Sequence, residues 1–371
     1  MALIKNLSGQ FARIKVIGVG GGGNNAINSM IAEDNIIGVD FVAVNTDSQA
    51  LLNSLAPIKI QIGDKLTKGL GAGGNPQTGL QAAEESKEKI KEILVDTDML
   101  FICGGMGGGT CTGAAPLIAE IAKKDLGILT IGVVTKPFQF EGTRRMTNAE
   151  EGIRRLKDAV DTLIVIPNQK VMEVVNNQVT LLEAFRIADS VLNKGTKAIA
   201  DLITVPGLIN LDFADIKSVM SNAGSALMGV GEATGDQKAK MAVQAAIESP
   251  LIEISIDGAR GVLINITGGP DLTMSEIEEV AQTITSMAAP DANIIFGATI
   301  DNNLENVIKV SVIATGFDSS RQRIFQQATK KTTDSPKKQI EISSVLNNQD
   351  IPEGVDINDE FDIPSFLRNN K

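Results

Sequence analysis

The chain has 371 residues, with 34 basic and 45 acidic side chains for a formal charge of −11, and 43% apolar against 21% charged residues, the profile of a soluble globular protein of one large or two medium domains. The acidic balance argues against sequence-independent nucleic-acid binding, which needs a basic footprint, and the absence of histidine removes Ser-His-Asp and Cys-His catalysis and every His-containing metal site. Cys103 and Cys111 are the only cysteines, too few for a zinc site or a disulfide framework. With no apolar run near the ~18 residues of a membrane span, and no signal-peptide core after Met1, a reduced, cytoplasmic location without membrane insertion is expected.

From residue 13 to about 168, short β-branched runs alternate with longer helical stretches. Residues 14–19, 41–44, 99–103, 128–135 and 163–166 are near-continuously apolar, as strands buried on both faces of a parallel sheet are. Residues 77–95 and 113–124 read as helices between them, which predicts an α/β, Rossmann-like sheet wound on both sides. The first strand runs into Gly18-Val19-Gly20-Gly21-Gly22-Gly23-Asn24-Asn25, where Gly18, Gly20 and Gly23 satisfy G-x-G-x-x-G at a strand-to-helix turn. Such a turn offers backbone N–H groups and a partial positive charge to phosphate oxygens.

A second glycine loop, Gly69-Leu70-Gly71-Ala72-Gly73-Gly74-Asn75-Pro76, follows another predicted strand. A third, at residues 104–113, has six glycines in ten residues. Ordering so much glycine is costly, and a phosphate chain held by successive N–H groups would offset the cost. Three such loops at the carboxyl ends of strands in one sheet should meet on one rim, where α/β folds place ligands. The G-x-x-x-x-G-K-[ST] pattern is absent, which excludes a P-loop nucleotide site.

Over residues 179–203 the apolar period becomes 3.6, through Leu181, Ala184, Phe185, Ala188, Val191, Leu192, Ala198, Ile199 and Leu202. One long buried helix is expected, ended by Pro206-Gly207 and connecting two domains. Phe185 and Asp189 share a face of it. They fit a core Phe beside a solvated Asp; they also fit a platform for a base with a carboxylate that accepts the ring N–H and exocyclic NH₂ of guanine. Residues 207–316 read as a smaller α+β unit with strands at 224–232, 261–267, 294–298 and 306–314 and helices at 237–248 and 274–287, the sheet covered on one face. Beyond residue 317 the chain turns polar, with seven acids and no base over 341–362. A disordered acidic linker (317–360) carrying an apolar terminal peptide (361–371) is expected.

Several motifs together resemble one family. Gly104-Gly105-Met106-Gly107-Gly108-Gly109-Thr110-x-Thr112-Gly113 is similar to the tubulin signature loop in its bacterial form. It is accompanied by Asn45-Thr46-Asp47, Gly71-Ala72-Gly73-x-Asn75-Pro76, Pro137-Phe138-x-Phe140-Glu141-Gly142-x-x-Arg145, Asn210-Leu211-Asp212-Phe213-Ala214-Asp215 and Asp362-Ile363-Pro364-x-Phe366-Leu367. From about residue 11 to the end, the linker excepted, the chain resembles the FtsZ family of tubulin-like cell-division GTPases.

The resemblance implies a tubulin-like fold divided into a GTP-binding domain (11–178), a core helix (179–205) and a C-terminal α+β domain (206–316). It implies that Gly21, Gly22, Gly23, Asn24 and Asn25 contact the nucleotide phosphates, with Ala72 and Gly73 near the terminal one. Gly107, Gly108, Gly109, Thr110, Cys111 and Thr112 would cradle the phosphate chain. Mg²⁺ would be held mainly by phosphate oxygens and water, with no protein metal site. Glu141 would hold the ribose and Arg145 the nucleotide, and Phe185 and Asp189 would select guanine with Asn168 nearby. The family usually has glycine where this chain has Cys111, which costs of order 1 kcal/mol if φ is positive there and little otherwise. The milder outcome is expected; the thiol would also lie within reach of an oxidant.

Asp212 and Asp215, three residues apart, fit by themselves an N-cap with first-turn acids favouring the helix dipole. The resemblance implies instead that Asn210, Asp212 and Asp215 reach the nucleotide of the next subunit and orient water for attack on its γ-phosphate. GTP and GDP are then the ligands, and the chain its own partner in a head-to-tail filament at midcell. Residues Phe361, Ile363, Pro364, Phe366 and Leu367 would dock membrane-tethering and regulatory division proteins. Two rival readings are an NAD-dependent oxidoreductase, which uses one glycine loop and leaves two idle, and a tubulin-like scaffold that does not hydrolyse GTP.

Overall fold

Alternate side chains of β1 (Ile14–Val19) belong to different cores. Ile14 and Val16 pack on one side of the sheet, Ile17 and Val19 on the other, because successive strand residues point to opposite faces. β2 (Val39–Asn45), β4 (Met99–Gly105), β5 (Leu129–Lys136) and β6 (Thr162–Pro167) divide in the same way, which explains their near-continuous apolar sequences. With the short edge strand β3 (Ile58–Gln61) they form a parallel sheet in the order β3-β2-β1-β4-β5-β6. The computed structural model describes residues 12–34, 36, 38–174, 180–205, 207–209, 211–249 and 256–317. Pro206, Asn210, the acidic linker beyond residue 317 and the terminal peptide lie outside them.

The connecting helices are α1 (Gly20–Ser29), α2 (Ser48–Leu52), α3 (Asp64–Thr67), α4 (Pro76–Glu85), α5 (Lys87–Leu94), α6 (Thr110–Glu120), α7 (Thr143–Ala159) and α8 (Asn168–Val174). The single helix expected over 77–95 is two: Ser86 leaves helical geometry between α4 and α5, and its Oγ accepts a hydrogen bond from Gly63 N at 3.0 Å. The loop 69–76 follows the short helix α3 and not a strand. Helix α6 begins at Thr110 rather than 113, so the last residues of the expected loop are its first turn.

Helix α9 (Leu181–Thr204) is opened by a capping box: Thr180 N donates to Glu183 Oε2 at 2.8 Å and Glu183 N donates to Thr180 Oγ1 at 3.3 Å. This satisfies two of the helix's free donors reciprocally. Leu192, Ile199 and Leu202 pack into the first core, whereas Leu181 and Leu182 are exposed; the helix is buried along one face and open at its start.

Helix α10 (Phe213–Met220) leads into β7 (Gly224–Thr234), which joins the two halves of the sheet. Its first three residues pair parallel with Thr162, Leu163 and Ile164 of β6, and the rest pairs antiparallel with β10 (Val307–Thr315). Strands β8 (Gly261–Gly268) and β9 (Asn293–Ile300) complete the order β7-β10-β8-β9. Helices α11 (Lys238–Ile247) and α12 (Met274–Thr285) cover one face of this half. The expectation that the other face is uncovered is corrected: Met228, Leu263 and Ile313 share the first core with Ile199 and Leu202 of α9 and Ile216 and Met220 of α10. No helix among the described residues is long and apolar enough to cross a membrane.

Helices α4 and α6 meet through glycine. A β-carbon on Gly113 would meet Pro76 O and, at 2.5 Å, Leu80 N. Gly113→Ala is therefore expected to cost roughly 1–3 kcal/mol by overpacking, lowering Tm by about 2–10 °C. Gly108→Ala, where nothing stands within 4 Å, should change it by about 1 °C or less. Thermal unfolding followed by circular dichroism checks both, and an unchanged Tm for Gly113→Ala would contradict the close approach.

Candidate functional site

The carboxyl ends of β1, β4, β5 and β6 surround a cleft of about 210 Å³. Val19 ends β1, and Gly20, Gly21 and Gly22 open α1. The β4 loop supplies Gly105, Met106, Gly108, Gly109, Thr110 and Cys111. Thr135 lies near the end of β5 and Pro137, Glu141 and Arg145 follow it, Asn168 follows β6, and α9 closes the side with Phe185, Ala188 and Asp189.

One lobe of the cleft suits an anion. Helices α1 and α6 both begin there, neither start is capped by a side chain, and neither first turn carries an acid. Their free N–H groups and dipoles point at the same space, and Arg145 adds a cationic side chain. Loop geometry keeps this lobe open. Gly107 holds φ at +100°, where a β-carbon would meet Arg145 O at 2.6 Å, and Gly107 N donates to Thr112 Oγ1 at 2.9 Å.

Of the other expected contact residues, Gly23, Asn24, Ala72 and Thr112 are buried behind the wall, while Asn25 and Gly73 are exposed outside the cleft. Gly23 packs against Gly18 and Cys103 O. Asn24 is buried, and in the amide orientation that satisfies its neighbours it donates to Gly18 O at 3.0 Å and Gly20 O at 3.2 Å. Asn25, Ala72, Gly73 and Thr112 do not line the cleft; the Ala72 methyl lies against Gly109. Cys111 is in the first turn of α6 with no positive φ, so it carries no backbone strain. It is 4% exposed, and burial pushes its thiol up to about 12, which removes it from an oxidant's easy reach.

The other lobe suits a planar group. Phe185, 40% exposed, stands edge-on to buried Phe138 at 5.3 Å, and Phe138 stacks on Phe140 at 5.1 Å. Beside this aromatic support, burial pushes the Asp189 carboxyl up to about 7, and Asn168 Oδ1 is buried without a hydrogen-bond partner. Two acceptors with unmet capacity call for a ligand rich in donors. On the rim, Glu141 Oε1 accepts from Phe138 N at 2.8 Å and its Oε2 pairs with Arg145 Nη1 at 3.0 Å. Phe138, the support beneath Phe185, was visible in sequence only as part of a motif. Thr135 and Pro137 were findable, since they end a predicted strand on the ligand-binding edge.

Asp212 and Asp215 are not in the cleft. Asp212 caps α10: its Oδ1 accepts from Asp215 N at 2.8 Å, and its own N donates to Asp215 Oδ2 at 3.4 Å. Thr204, the last residue of α9, packs at Gly38, just before the amino end of β2. Helix α9 thus crosses from the carboxyl edge to the amino edge, and at 1.5 Å per residue Asp189 and Thr204 are about 22 Å apart. The acids follow that far end. Among the described residues no cluster of His, Cys, Asp or Glu could hold a metal ion.

A model of the GTPase domain of the tubulin/FtsZ family matches residues 13–176, and one of the C-terminal domain of the FtsZ family matches residues 224–318. Among solved structures, an empty FtsZ dimer from M. jannaschii is 52% identical, with a TM-score of 0.79 over 83% of this chain and 89% of that one. CetZ1 from Haloferax volcanii, a GDP-bound monomer, is 20% identical, with a TM-score of 0.73 over 87% of this chain and 100% of that one. CetZ2 from the same organism, a GTPγS-bound protofilament, is 17% identical, with a TM-score of 0.71 over 86% and 98%; at these identities the two CetZ structures show the likeness of fold alone.

The desolvated carboxylate has a consequence for stability. A carboxyl whose pKa rises on folding binds more protons in the native than in the unfolded state, so stability falls with pH between about 4 and 7 and the loss is complete above that. Without nucleotide, Asp189→Asn should be more stable than wild type at about pH 8, and the two should converge below about pH 4. Denaturant unfolding across that range measures the difference; a variant less stable at high pH would contradict the burial argument.

Proposed function

The chain belongs to the FtsZ family of tubulin-like GTPases, and from that premise we propose that it binds GTP and GDP in the cleft and assembles head to tail. Each copy places Asp212 and Asp215, with Asn210, against the nucleotide of its neighbour. The domains are read as GTP-binding (11–178), connecting helix (179–205) and C-terminal α+β (206–316), with the linker (317–360) and docking peptide (361–371) beyond. The backbone N–H groups of Gly21, Gly22, Gly108, Gly109 and Thr110 hold the phosphate chain, and Mg²⁺ would be held there mainly by the nucleotide and water, offsetting the phosphate charge. Phe185 carries the guanine face. Asp189 and Asn168 accept from its ring N–H and exocyclic NH₂, for which adenine has no matching pair of donors. Arg145 parts from Glu141 to meet the nucleotide, which frees Glu141 Oε2 for the ribose.

One observation carries this reading: the anion-binding cleft and the pair of acids stand at opposite ends of α9. Of the two acids among the described residues lining the cleft, Glu141 is engaged by Phe138 N and Arg145, and Asp189 lies in the lobe beside Phe185, so the acids that orient water are taken to come from a second copy. A contact between unlike ends repeats without closing and yields a filament. In the joined site the acids polarise water for in-line attack on the γ-phosphate, without a covalent intermediate. Hydrolysis then weakens the contact. Phe361, Ile363, Pro364, Phe366 and Leu367 tether the filament to partners at the division site.

Asp212→Ala should bind GTP as wild type does, hydrolyse it roughly 100-fold more slowly, and form long-lived polymers. Phe185→Ala should bind nucleotide poorly while keeping its acids. Mixing the two should restore part of the phosphate release, because each copy supplies what the other lacks. Two folded variants that show no recovery when mixed, or normal turnover in Asp212→Ala, would contradict the shared site.

A further inference from the structure

The last turn of α10 is gripped by strands from both halves of the sheet. Asp212 and Asp215, at the start of the helix, are exposed, whereas Ile216, Val219 and Met220 are buried. A helix leaves its last carbonyls without intrahelical partners, and here buried hydroxyls supply them. Thr162 Oγ1, on the first residue of β6, donates to Met220 O at 2.6 Å. Thr315 Oγ1, on the last residue of β10, shares its proton between Val219 O and Gly261 O, each at 3.3 Å. The chain leaving the helix is caught by Asp161, which is 6% exposed. Its Oδ1 accepts from Asn222 N at 3.2 Å and pairs with Lys123 Nζ at 3.3 Å, and its Oδ2 accepts from Thr130 N at 3.0 Å. Asn222 is held at a φ of +52°, and Gly224 N donates to Asp161 O at 2.9 Å.

Asp161 and Thr162 do not line the cleft; what they fix is the direction of a helix. The strand that Thr162 opens, β6, runs from this anchor to Asn168 in the cleft, so one strand carries both a chain's own ligand site and the grip on the acids it lends. Eight residues make α10 about 12 Å long. A tilt of about 5° at the anchored end moves the other end by about 1 Å, and a misplacement of that size costs a positioned catalytic group on the order of 100-fold. We propose that Asp161 and Thr162 are positioning residues for GTP hydrolysis: acting through α10, they aim Asp212 and Asp215 at the nucleotide of the neighbouring copy. This rests on the shared-site reading above.

The test uses the full-length chain. Thr162→Val keeps a β-branched side chain in β6 and removes the hydroxyl; Asp161→Asn keeps the shape but leaves one amide oxygen to serve two N–H donors. Titration gives the GTP dissociation constant, sedimentation the amount of polymer, and phosphate release is expressed per polymerised chain. Both variants should bind GTP within about threefold of wild type and release phosphate about tenfold more slowly per polymerised chain, and Thr162→Ser should restore the rate. In equimolar mixed filaments of Thr162→Val and wild type, half the sites receive displaced acids, so phosphate release should fall by about half. A role in stability alone lowers Tm and leaves the rate per polymerised chain unchanged. A wild-type rate in either variant, an equal loss in Thr162→Ser and Thr162→Val, or a folded Thr162→Val that enters neither its own filaments nor mixed ones overturns the inference alone; Thr162→Val decides by itself if Asp161→Asn does not fold. A wild-type chain that does not bind GTP, or normal turnover in Asp212→Ala, overturns the proposed function and the inference with it.

Discussion

The structure depends on keeping backbone N–H groups unpaired at one place. Buried donors are ordinarily satisfied within the protein, and glycine-rich loops are costly to order. Here the starts of α1 and α6 are left uncapped and turned toward one cleft, and the loops that lead to them are clamped from behind by buried side chains. Asn24, Asn45, Thr46 and Thr112 spend their hydrogen bonds on the loops rather than on a ligand. An oxyanion entering the cleft meets donors already in position, so little ordering entropy remains to be lost on binding.

The base lobe follows the same logic with the opposite sign. Asp189 is held in a desolvated setting, and Asn168 Oδ1 has no partner. Each unmet acceptor costs stability in the free chain, a cost that a ligand presenting N–H groups would offset. In the function proposed above, the stored cost and the selectivity for guanine are the same interaction. Helix α9 connects this lobe to the rest of the mechanism. Its first turns carry Phe185 and Asp189, its middle packs on the sheet, and its far end delivers the chain to α10 and its two acids.

Much of this was legible in the sequence, for identifiable reasons. Parallel strands covered on both faces are apolar at nearly every position, so β1, β2, β4, β5 and β6 stood out. The four residues of β3, at the sheet edge with exposed Lys59, carry no such signal. The break at Ser86 comes from a hydrogen bond to Gly63, 23 residues away in sequence, which no local pattern encodes. The covering of the second half-sheet by α9 and α10 depends on how β7 switches partners between β6 and β10. In the site, glycine spacing located the wall of the cleft. It did not separate the residues that line it from those that brace it, since Gly23, Asn24 and Thr112 differ from Gly22 and Thr110 only in the direction they face. At Asp212 the N-cap geometry expected of the residues alone is present, and the same cap holds the carboxylates in place for the role proposed for them.

The central claim, a reaction site completed only by a second copy, is tested most directly by the rate of GTP hydrolysis per chain as chain concentration is lowered through the assembly threshold. The account predicts that phosphate release per chain collapses below the threshold while nucleotide stays bound. A turnover per chain that is constant across the whole range, including dilutions at which no filament forms, would contradict it.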